Sequence, residues 1–150
     1  MFDIIGCQAE PSRFGFERFF FFPEARGRII EAGNVTAAAE QRNRKSLIML
    51  KDYAFDEGAI KLIAEKKSLC FLIDLGRLIR TRGVPRAIAL SKLRTFLSMC
   101  NRFGAYYSFA SFAAGESQIR TPDELLHIAM LLGINRGQAK FALKMLKHYL

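Results

Sequence analysis

The sequence has little of what most enzyme sites are built from. Its 150 residues include no tryptophan, three cysteines and two histidines, His127 and His148. The cysteines, Cys7, Cys70 and Cys100, are widely spaced and form no CxxC pair. They therefore predict buried free thiols in a reducing compartment, not disulfides or a zinc site. The sequence also contains no P-loop, GxGxxG or GxSxG motif, so we expect no catalytic residue and no metal site in this chain.

Long apolar runs are absent as well. No stretch of eighteen apolar residues occurs, which argues against a membrane span. The opening segment MFDIIGCQAEPSR lacks the basic start, apolar stretch and small-residue cleavage site of a secretory signal, so we expect a cytoplasmic protein. Hydrophobic residues make up 51% of the chain. This content and this length predict a single domain over residues 1–150 with a substantial core.

Acidic residues are few and unevenly distributed. The chain has 23 Lys and Arg against 14 Asp and Glu, a formal charge of +9. No Asp or Glu occurs from Leu75 to Gly115, where seven Lys and Arg lie, or after Glu124, where four more lie. Such stretches favour a surface for nucleic-acid phosphates, and arginine suits bidentate phosphate contacts. Solvated helix faces that keep the protein soluble are the alternative interpretation.

Segments typical of strands alternate with segments typical of helices. Short apolar runs predict about five strands, at residues 2–5, 28–32, 46–50, 69–73 and 106–110. Helical patterns follow at 36–44, 56–66, 75–81, 85–103, 121–132 and 135–148, whereas residues 10–27 read as a connection that contains the run Phe19–Phe22. This alternation predicts an α/β fold of mainly parallel strands with crossover helices. Eight βα units need about 200 residues or more, so we expect an incomplete barrel or an open sheet.

Some residues suggest particular sites. Arg120 precedes the capping sequence Thr121–Glu124, and its charge at a helix N-terminus predicts an anion site, with a surface ion pair to Glu116 or Asp123 as the alternative.

Aromatic residues offer a second route to RNA by base stacking, although core packing is the better interpretation for most of them. The candidates are Phe19–Phe22, Tyr106, Tyr107, Phe109 and Phe112.

Two further functions are consistent with the sequence. Asp3, Asp74 and His127 could serve a metal-dependent phosphoesterase, because barrel enzymes place catalytic carboxylates at strand ends. The two C-terminal helices, within residues 119–150, resemble a helix-turn-helix with Arg136 and several lysines on the second helix. This pattern predicts a DNA-binding regulator, but many helix hairpins share it.

Several segments in order resemble the ribonuclease P protein component 3 family, the barrel-like ribonuclease P subunit of archaea with a eukaryotic counterpart. The strand LCFLIDL is followed by LIRTRG and by the long basic helix VPRAIALSKLRTFLSMCNRFG. Upstream lies AAAEQRNRKSLIML, and near the end IRTPDELLHIAMLLGINRGQAKFAL. The resemblance covers roughly residues 28 to 145. The chain departs from the family in the turn ASFAAG and in lacking the opening βα elements, so it looks N-terminally shortened.

The resemblance implies an incomplete TIM-barrel-like fold related to the PHP phosphoesterases, without their histidine set. It implies a non-catalytic, RNA-binding subunit of ribonuclease P, whose RNA removes the 5′ leader from precursor tRNA with Mg²⁺, while this chain binds no cofactor. Expected partners are ribonuclease P RNA, precursor tRNA, a small RNA-recognition-motif-like subunit and other ribonuclease P proteins. Five arginines match basic positions of the family, and Lys45 is added from local charge. The expected RNA contacts are Arg44, Lys45, Arg82, Arg86, Arg94 and Arg120.

Overall fold

A computed structural model of the chain describes residues 1–54 and 56–150. Six strands lie within these residues: β1 (Phe2–Ile5), β2 (Arg18–Phe21), β3 (Ile29–Ala32), β4 (Ser46–Leu50), β5 (Leu69–Asp74) and β6 (Tyr106–Ala110). The α-helices described there are α1 (Phe22–Ala25), α2 (Val35–Glu40), α3 (Glu57–Lys66), α4 (Leu75–Arg80), α5 (Gly83–Phe103), α6 (Pro122–Met130) and α7 (Arg136–Met145). Short 3₁₀ helices lie at Pro11–Phe14, Arg26–Arg28, Glu116–Gln118 and Leu146–His148. None of the helices described here is long and apolar enough to span a membrane.

The strands are parallel and form one continuous order. Four of them pair as β3-β4-β5-β6, and β1 pairs with β2. Hydrogen bonds just beyond β6 join the two groups: the Phe112 amide donates to the Ile4 carbonyl at 2.9 Å, and the Gly6 amide donates to the Ala113 carbonyl at 2.8 Å. A parallel bridge between Ile5 and Ala113 completes this joint. The full order is therefore β2-β1-β6-β5-β4-β3.

The two ends of this order curve towards each other. β2 and β3 are neighbours in the chain but lie at opposite edges, and the described residues show no backbone pairing between them. Residues of β2 nevertheless line a cavity with Arg28 and Leu150, and Ile30 of β3 lines a second cavity with the same two residues. The six strands thus form a barrel that is open between β2 and β3. This confirms the predicted incomplete barrel of parallel strands.

Both faces of β1, β4, β5 and β6 are largely buried, as is typical of parallel strands, whereas β2 and β3 beside the opening are partly exposed. The inner face carries Phe2, Ile4, Leu47, Cys70, Leu72 and Ala110, which pack against Met145 and Leu146 from the end of the chain. The outer face packs against the helices in a larger core. Phe71 of β5, for example, meets Phe96 of α5 with ring centroids 4.9 Å apart and the rings nearly perpendicular. The continuously apolar run of β5 follows from this burial on both sides.

Short polar side chains set the starts of several helices. Asp56 begins α3 by accepting a hydrogen bond from the Ala59 amide at 3.2 Å, as the sequence predicts. The predicted capping sequences at Thr121 and Asn135 both form complete capping boxes. The long helix α5 begins at Gly83, two residues before the expected Pro85. Pro85 fits within the first turn because the amides of that turn have no partner in the helix, so the missing N–H of proline costs no hydrogen bond.

The prediction of about five strands was wrong by one. β2 includes most of the phenylalanine run, which lies within the predicted connection of residues 10–27. Phe19 packs against the ring of Phe16 at 5.0 Å, and Phe20 packs against that of Phe2 at 6.1 Å. The link from β1 to β2 contains only a 3₁₀ turn. Parallel strands are usually recognised in a sequence by a helical crossover between them, and the link from β1 to β2 has none.

The close approach of Gly76 to the barrel gives a stability test. A Cβ atom at Gly76 would lie 1.8 Å from the Ser111 carbonyl oxygen, so any side chain forces α4 away from the end of β6. We expect Gly76→Ala to lower the free energy of unfolding by at least about 3 kcal/mol in urea titrations. Gly58→Ala is the matched control, since its Cβ meets only the Asp56 carboxylate at 3.4 Å. Equal stabilities of the two variants would contradict this packing.

Candidate nucleic-acid interface

The six residues expected to contact RNA do not form one cluster. Arg44 and Lys45 directly precede β4 and therefore lie at the amino end of the parallel strands. Arg82 precedes α5, whose first turns line a cavity with the carboxyl ends of β4 and β5. Arg120 lies on the connection that leaves the carboxyl end of β6. The expected contacts are thus divided between opposite ends of the barrel.

Arg86 and Arg94 donate hydrogen bonds to helix ends. The Arg86 guanidinium donates to the Ile79 carbonyl at 2.7 Å and also to the Thr81 carbonyl, so it ties the end of α4 to α5. Arg94 donates from Nε to the Leu131 carbonyl at 2.8 Å, at the end of α6. Both guanidinium groups keep their charge and have N–H groups left over. Their role in RNA binding stays a prediction, and their contacts show a structural role as well.

Arg120 has no strong partner among the described residues. Its guanidinium lies 3.5 Å from the Ser117 carbonyl oxygen, at the limit of a hydrogen bond. The two acids considered as its partners are bonded to other arginines, Glu116 to Arg13 at 2.7 Å and Asp123 to Arg136 at 3.1 Å. The surface ion pair considered for Arg120 is therefore not formed.

The N-terminus of α6, next to Arg120, is closed by its own cap. The Thr121 hydroxyl accepts from the Glu124 amide at 3.3 Å, and the Glu124 carboxylate accepts from the Thr121 amide at 2.7 Å. Proline at the first helical position supplies no amide hydrogen. The cap uses donors that an anion would need, and Asp123 and Glu124 add negative charge. The arrangement thus gives no support to an anion site at this helix end.

The distance between the two ends of the barrel decides how their charges act. A strand of five residues is about 17 Å long, whereas charges in physiological salt are screened over about 8 Å. Cations at the amino end and at the carboxyl end therefore act on separate parts of a ligand. A single phosphate cannot bind to both.

A groove of about 450 Å³ lies at the amino end of the barrel, between β3 and the end of the chain. We call it the amino-end groove. Its lining includes five basic side chains if histidine is counted, together with a serine and a tyrosine: Arg28, Arg44, Lys45, Lys147, His148, Ser46 and Tyr149. Among residues 1–54 and 56–150, no Asp or Glu contributes to this lining. The groove combines a depression in the surface with charge of one sign.

Aromatic rings accompany the basic groups at this end. The Lys45 ammonium lies 5.7 Å from the ring centre of Tyr149, and the Lys67 ammonium lies 5.8 Å from that of Tyr106. Next to Tyr106 is Phe141, with ring centroids 6.2 Å apart, and 55% of its surface is exposed. Rings beside cations are typical of surfaces that bind single-stranded nucleic acids, where bases stack and phosphates pair with the cations.

The carboxyl end has a different character. A cavity of about 420 Å³ lies beside β4 and β5, and apolar side chains from α4 and α5 form much of its wall. Lys92 and Asp52, both on its lining, form an ion pair at 3.2 Å. Tyr53 is partly buried there and donates its hydroxyl to the Leu72 carbonyl at 3.1 Å. Charges of both signs meet at this cavity, so it lacks the uniform basic lining of the amino-end groove.

Asp3 is a buried carboxylate in β1. It accepts from the Ser111 amide at 2.7 Å, the Ser111 hydroxyl at 2.5 Å and the Ile4 amide at 2.8 Å. Burial raises the pKa of Asp3 to about 6, against the lowering effect of these hydrogen bonds, and the nearby Asp74 raises it further. The contacts with Ser111 join β1 to the end of β6. Asp3 thus contributes to the barrel joint.

The phosphoesterase alternative needs Asp3, Asp74 and His127 at one metal ion. Asp74 caps α4 by accepting from the Arg77 amide at 2.7 Å, and burial raises its pKa. His127 is exposed on α6, and its Nδ1 lies 2.7 Å from the Asp123 carbonyl oxygen. In the part of the chain that the structure describes, no three His, Cys, Asp or Glu side chains are grouped to hold a metal ion. The geometry does not support this alternative.

The C-terminal helix pair is part of the barrel wall. The Ser108 hydroxyl of β6 donates to the Ala142 carbonyl of α7 at 2.8 Å, and one side of α7 is buried. Lys140 and Lys144 remain exposed on its other side. A DNA recognition helix has to enter the major groove, whereas α7 is held along the barrel. The packing favours a structural role for this pair.

Sequence reasoning missed part of the amino-end groove. Arg28, Lys147 and Tyr149 are far apart in the sequence, and they meet because the end of the chain folds back towards β3. Arg28 donates a hydrogen bond to the Leu150 carbonyl, and Tyr149 donates its hydroxyl to the Lys67 carbonyl at 3.4 Å. No motif or spacing predicts these contacts. The basic cluster at Arg44 and Lys45 was the available signal.

The fold and surface together define a class of protein: a parallel α/β barrel of six described strands, open on one side, with a basic groove at the amino ends of its strands. No group of three metal-ligating side chains occurs within the described residues. Charge of one sign in a groove attracts anions.

The same fold occurs in a chain from the cryo-EM structure of archaeal ribonuclease P with mature tRNA. The similarity has a TM-score of 0.68 and covers 99% of this chain, at 16% sequence identity. The present chain spans 66% of the length of that chain. At this level of identity the likeness shows a common fold. No protein-family model matches the sequence, and no curated protein matches it.

The raised pKa of Asp3 gives a prediction for stability. The folded chain keeps the Asp3 proton up to about pH 6, whereas the unfolded chain releases it near its ordinary pKa of 3.8. Stability from this residue therefore falls as the pH rises through that window. We expect the unfolding free energy of the unaltered chain, relative to Asp3→Asn, to fall by about 2 kcal/mol between about pH 4 and pH 7. A difference that stays constant with pH in urea titrations would contradict the assignment.

Proposed function

We propose that the chain is an RNA-binding protein subunit of ribonuclease P. The observation that carries this proposal is the likeness of fold, over 99% of the chain, to a chain of archaeal ribonuclease P with mature tRNA. The ordered sequence segments that resemble the ribonuclease P component 3 family support it independently. The acid-free basic stretches and the amino-end groove supply the surface that an RNA partner needs.

In this proposal the chain supports catalysis and does not perform it. The RNA component cleaves the 5′ leader from precursor tRNA and holds the Mg²⁺ ions, and the protein binds no cofactor. Its contribution is electrostatic and geometric, because cations placed along an RNA backbone offset phosphate repulsion and fix its path. The holoenzyme is an endonuclease, and this chain is one of its protein parts.

The proposed partners are ribonuclease P RNA, precursor tRNA, a small RNA-recognition-motif-like subunit and further ribonuclease P proteins. The open side of the barrel supports a protein partner, since edge strands expose unpaired backbone groups. The proposal includes a cytoplasmic location, where thiols such as the buried Cys70 and Cys100 stay reduced.

The proposed RNA contacts remain the six basic residues identified from the sequence, at two separate surfaces. Arg44 and Lys45 belong to the amino-end groove, and Arg82 and Arg120 lie at the carboxyl end. Because the two surfaces are farther apart than the screening length, RNA that contacts both has to extend along the barrel.

Affinity purification of the tagged full-length chain from its native cells tests the proposal. The bound RNA is sequenced and the co-purifying proteins are identified by mass spectrometry. We expect strong enrichment of ribonuclease P RNA over ribosomal RNA, together with the small RNA-recognition-motif-like subunit. A folded preparation that enriches no RNA would overturn the proposed function and leave the likeness of fold alone.

Substitution of Arg82, Arg86 and Arg94 tests their share in RNA binding. We expect the combined change Arg82→Ala, Arg86→Ala and Arg94→Ala to weaken binding and to flatten the salt dependence by roughly 0.7 in log–log slope for each lost phosphate contact. Loss of the carbonyl contacts of Arg86 and Arg94 can also lower stability. Thermal unfolding is therefore measured in parallel, and the double variant Arg82→Ala, Arg120→Ala leaves those contacts intact.

An unchanged salt slope in both variants, each shown to be folded, would remove Arg82, Arg86, Arg94 and Arg120 from the proposed RNA surface. Binding by Arg44 and Lys45 is a separate question, because these two residues lie in the amino-end groove.

A further inference from the structure

The lysine and arginine side chains that line the amino-end groove form no ion pair with an Asp or Glu side chain of the described residues. The ion pairs formed by lysine and arginine side chains in the described residues all lie elsewhere. They are Arg13–Glu116, Lys61–Glu57, Lys92–Asp52 and Arg136–Asp123. None includes a residue of the groove. The groove therefore concentrates positive charge that the protein itself leaves uncompensated.

The contacts that these cations do make leave their charge available. Lys45 lies above the ring of Tyr149, and the Lys147 ammonium lies 5.7 Å from the ring centre of Phe2. Arg28 donates to a main-chain oxygen of Leu150, which fixes this arginine in the wall of the groove. Ring faces orient a cation without neutralising it. An approaching anion finds these groups held in place.

Two carboxylates lie near this region, Glu17 and Glu24, and Glu24 lines the adjoining cavity together with Arg28 and Leu150. Glu17 lies within range of Lys144 and Lys147, but it bonds to the N-terminal ammonium of Met1, which is the main cause that lowers its pKa. Glu17 does not line the groove. Glu17 thus already has a cationic partner, and no Asp or Glu side chain of the described residues lines the groove.

We infer that the amino-end groove binds the phosphate backbone of single-stranded RNA, with Arg44, Lys45 and Lys147 on the phosphates and the ring of Tyr149 beneath a base. This inference deepens the proposed function and rests on it. The aromatic rings favour RNA over an acidic protein segment. Phe141 is exposed at the same end of the barrel, and the partly buried ring of Tyr149 lines the groove, so ring surface lies beside the cations. Bases stack on such surfaces and carboxylate side chains do not.

The test measures binding of the full-length chain to a fluorescent single-stranded oligouridine across a salt series. The variant is Arg44→Ala, Lys45→Ala, Lys147→Ala. Its matched control is Lys51→Ala, Arg77→Ala, Arg80→Ala, which removes the same three charges from exposed positions at the carboxyl end. We expect the groove variant to bind about tenfold or more weakly with a log–log salt slope shallower by about 2, and the control to retain most of both.

Substitutions of Tyr149 distinguish the contribution of base stacking to RNA affinity from the contribution of charge. We expect Tyr149→Leu to weaken binding of the oligouridine about fivefold or more while the salt slope stays the same. Tyr149→Phe keeps the ring and should bind as the unaltered chain does. Competition with inorganic phosphate shows whether the groove selects a strand: an RNA strand should bind at far lower concentration than the free ion.

Equal losses of affinity in the groove variant and its control would overturn the assignment of RNA binding to the groove. RNA binding by the chain as a whole would still stand. A groove variant that binds RNA normally but no longer binds a ribonuclease P protein would assign the groove to a protein partner and also overturn the inference. If the unaltered chain binds no RNA, the proposed function itself fails. These outcomes are distinct measurements, so failure of the groove and failure of the proposed function can be told apart.

Discussion

The architecture depends on the joint between β1 and the segment that follows β6. Two backbone hydrogen bonds and the Ile5–Ala113 bridge join a two-stranded and a four-stranded sheet into one barrel. Asp3 reinforces the joint through both groups of Ser111, at the expense of burying a carboxylate. Without this joint, the inner faces of β1 and β2 would have no core to pack against. The amino-end groove depends on it too, because the end of the chain packs on Phe2 and Ile4.

Local sequence patterns predict most elements of this fold, because local chemistry determines them. Five strands match their apolar runs, and the caps at Asp56, Thr121 and Asn135 start their helices as expected. The missing strand, β2, owes its existence to pairing with β1, which no local pattern records. The order of the strands could likewise not be predicted from local sequence patterns. It rests on contacts between residues more than a hundred positions apart, such as Asp3 and Ser111.

Prediction of the site was limited in the same way. Counting charge along the chain identifies basic residues but not the end of the barrel at which each one lies. Arg44 and Lys45 share a groove with Lys147, a hundred positions later, whereas Arg82 lies at the far end of the strands. The chain also uses some arginines within its own structure. Arg86 and Arg94 bond to the carbonyls of helix ends, a role that a count of charges cannot distinguish from an RNA contact.

The open side of the barrel lies between strands that are consecutive in the chain. Only residues 22–28 connect β2 to β3, as a four-residue α-helix and a three-residue 3₁₀ helix. Together these rise about 12 Å, close to the roughly 13 Å length of a four-residue strand. The connection has almost no slack. Any widening of the opening has to be accompanied by unwinding of this short helical segment, so the helical segment limits how far the barrel interior can expand.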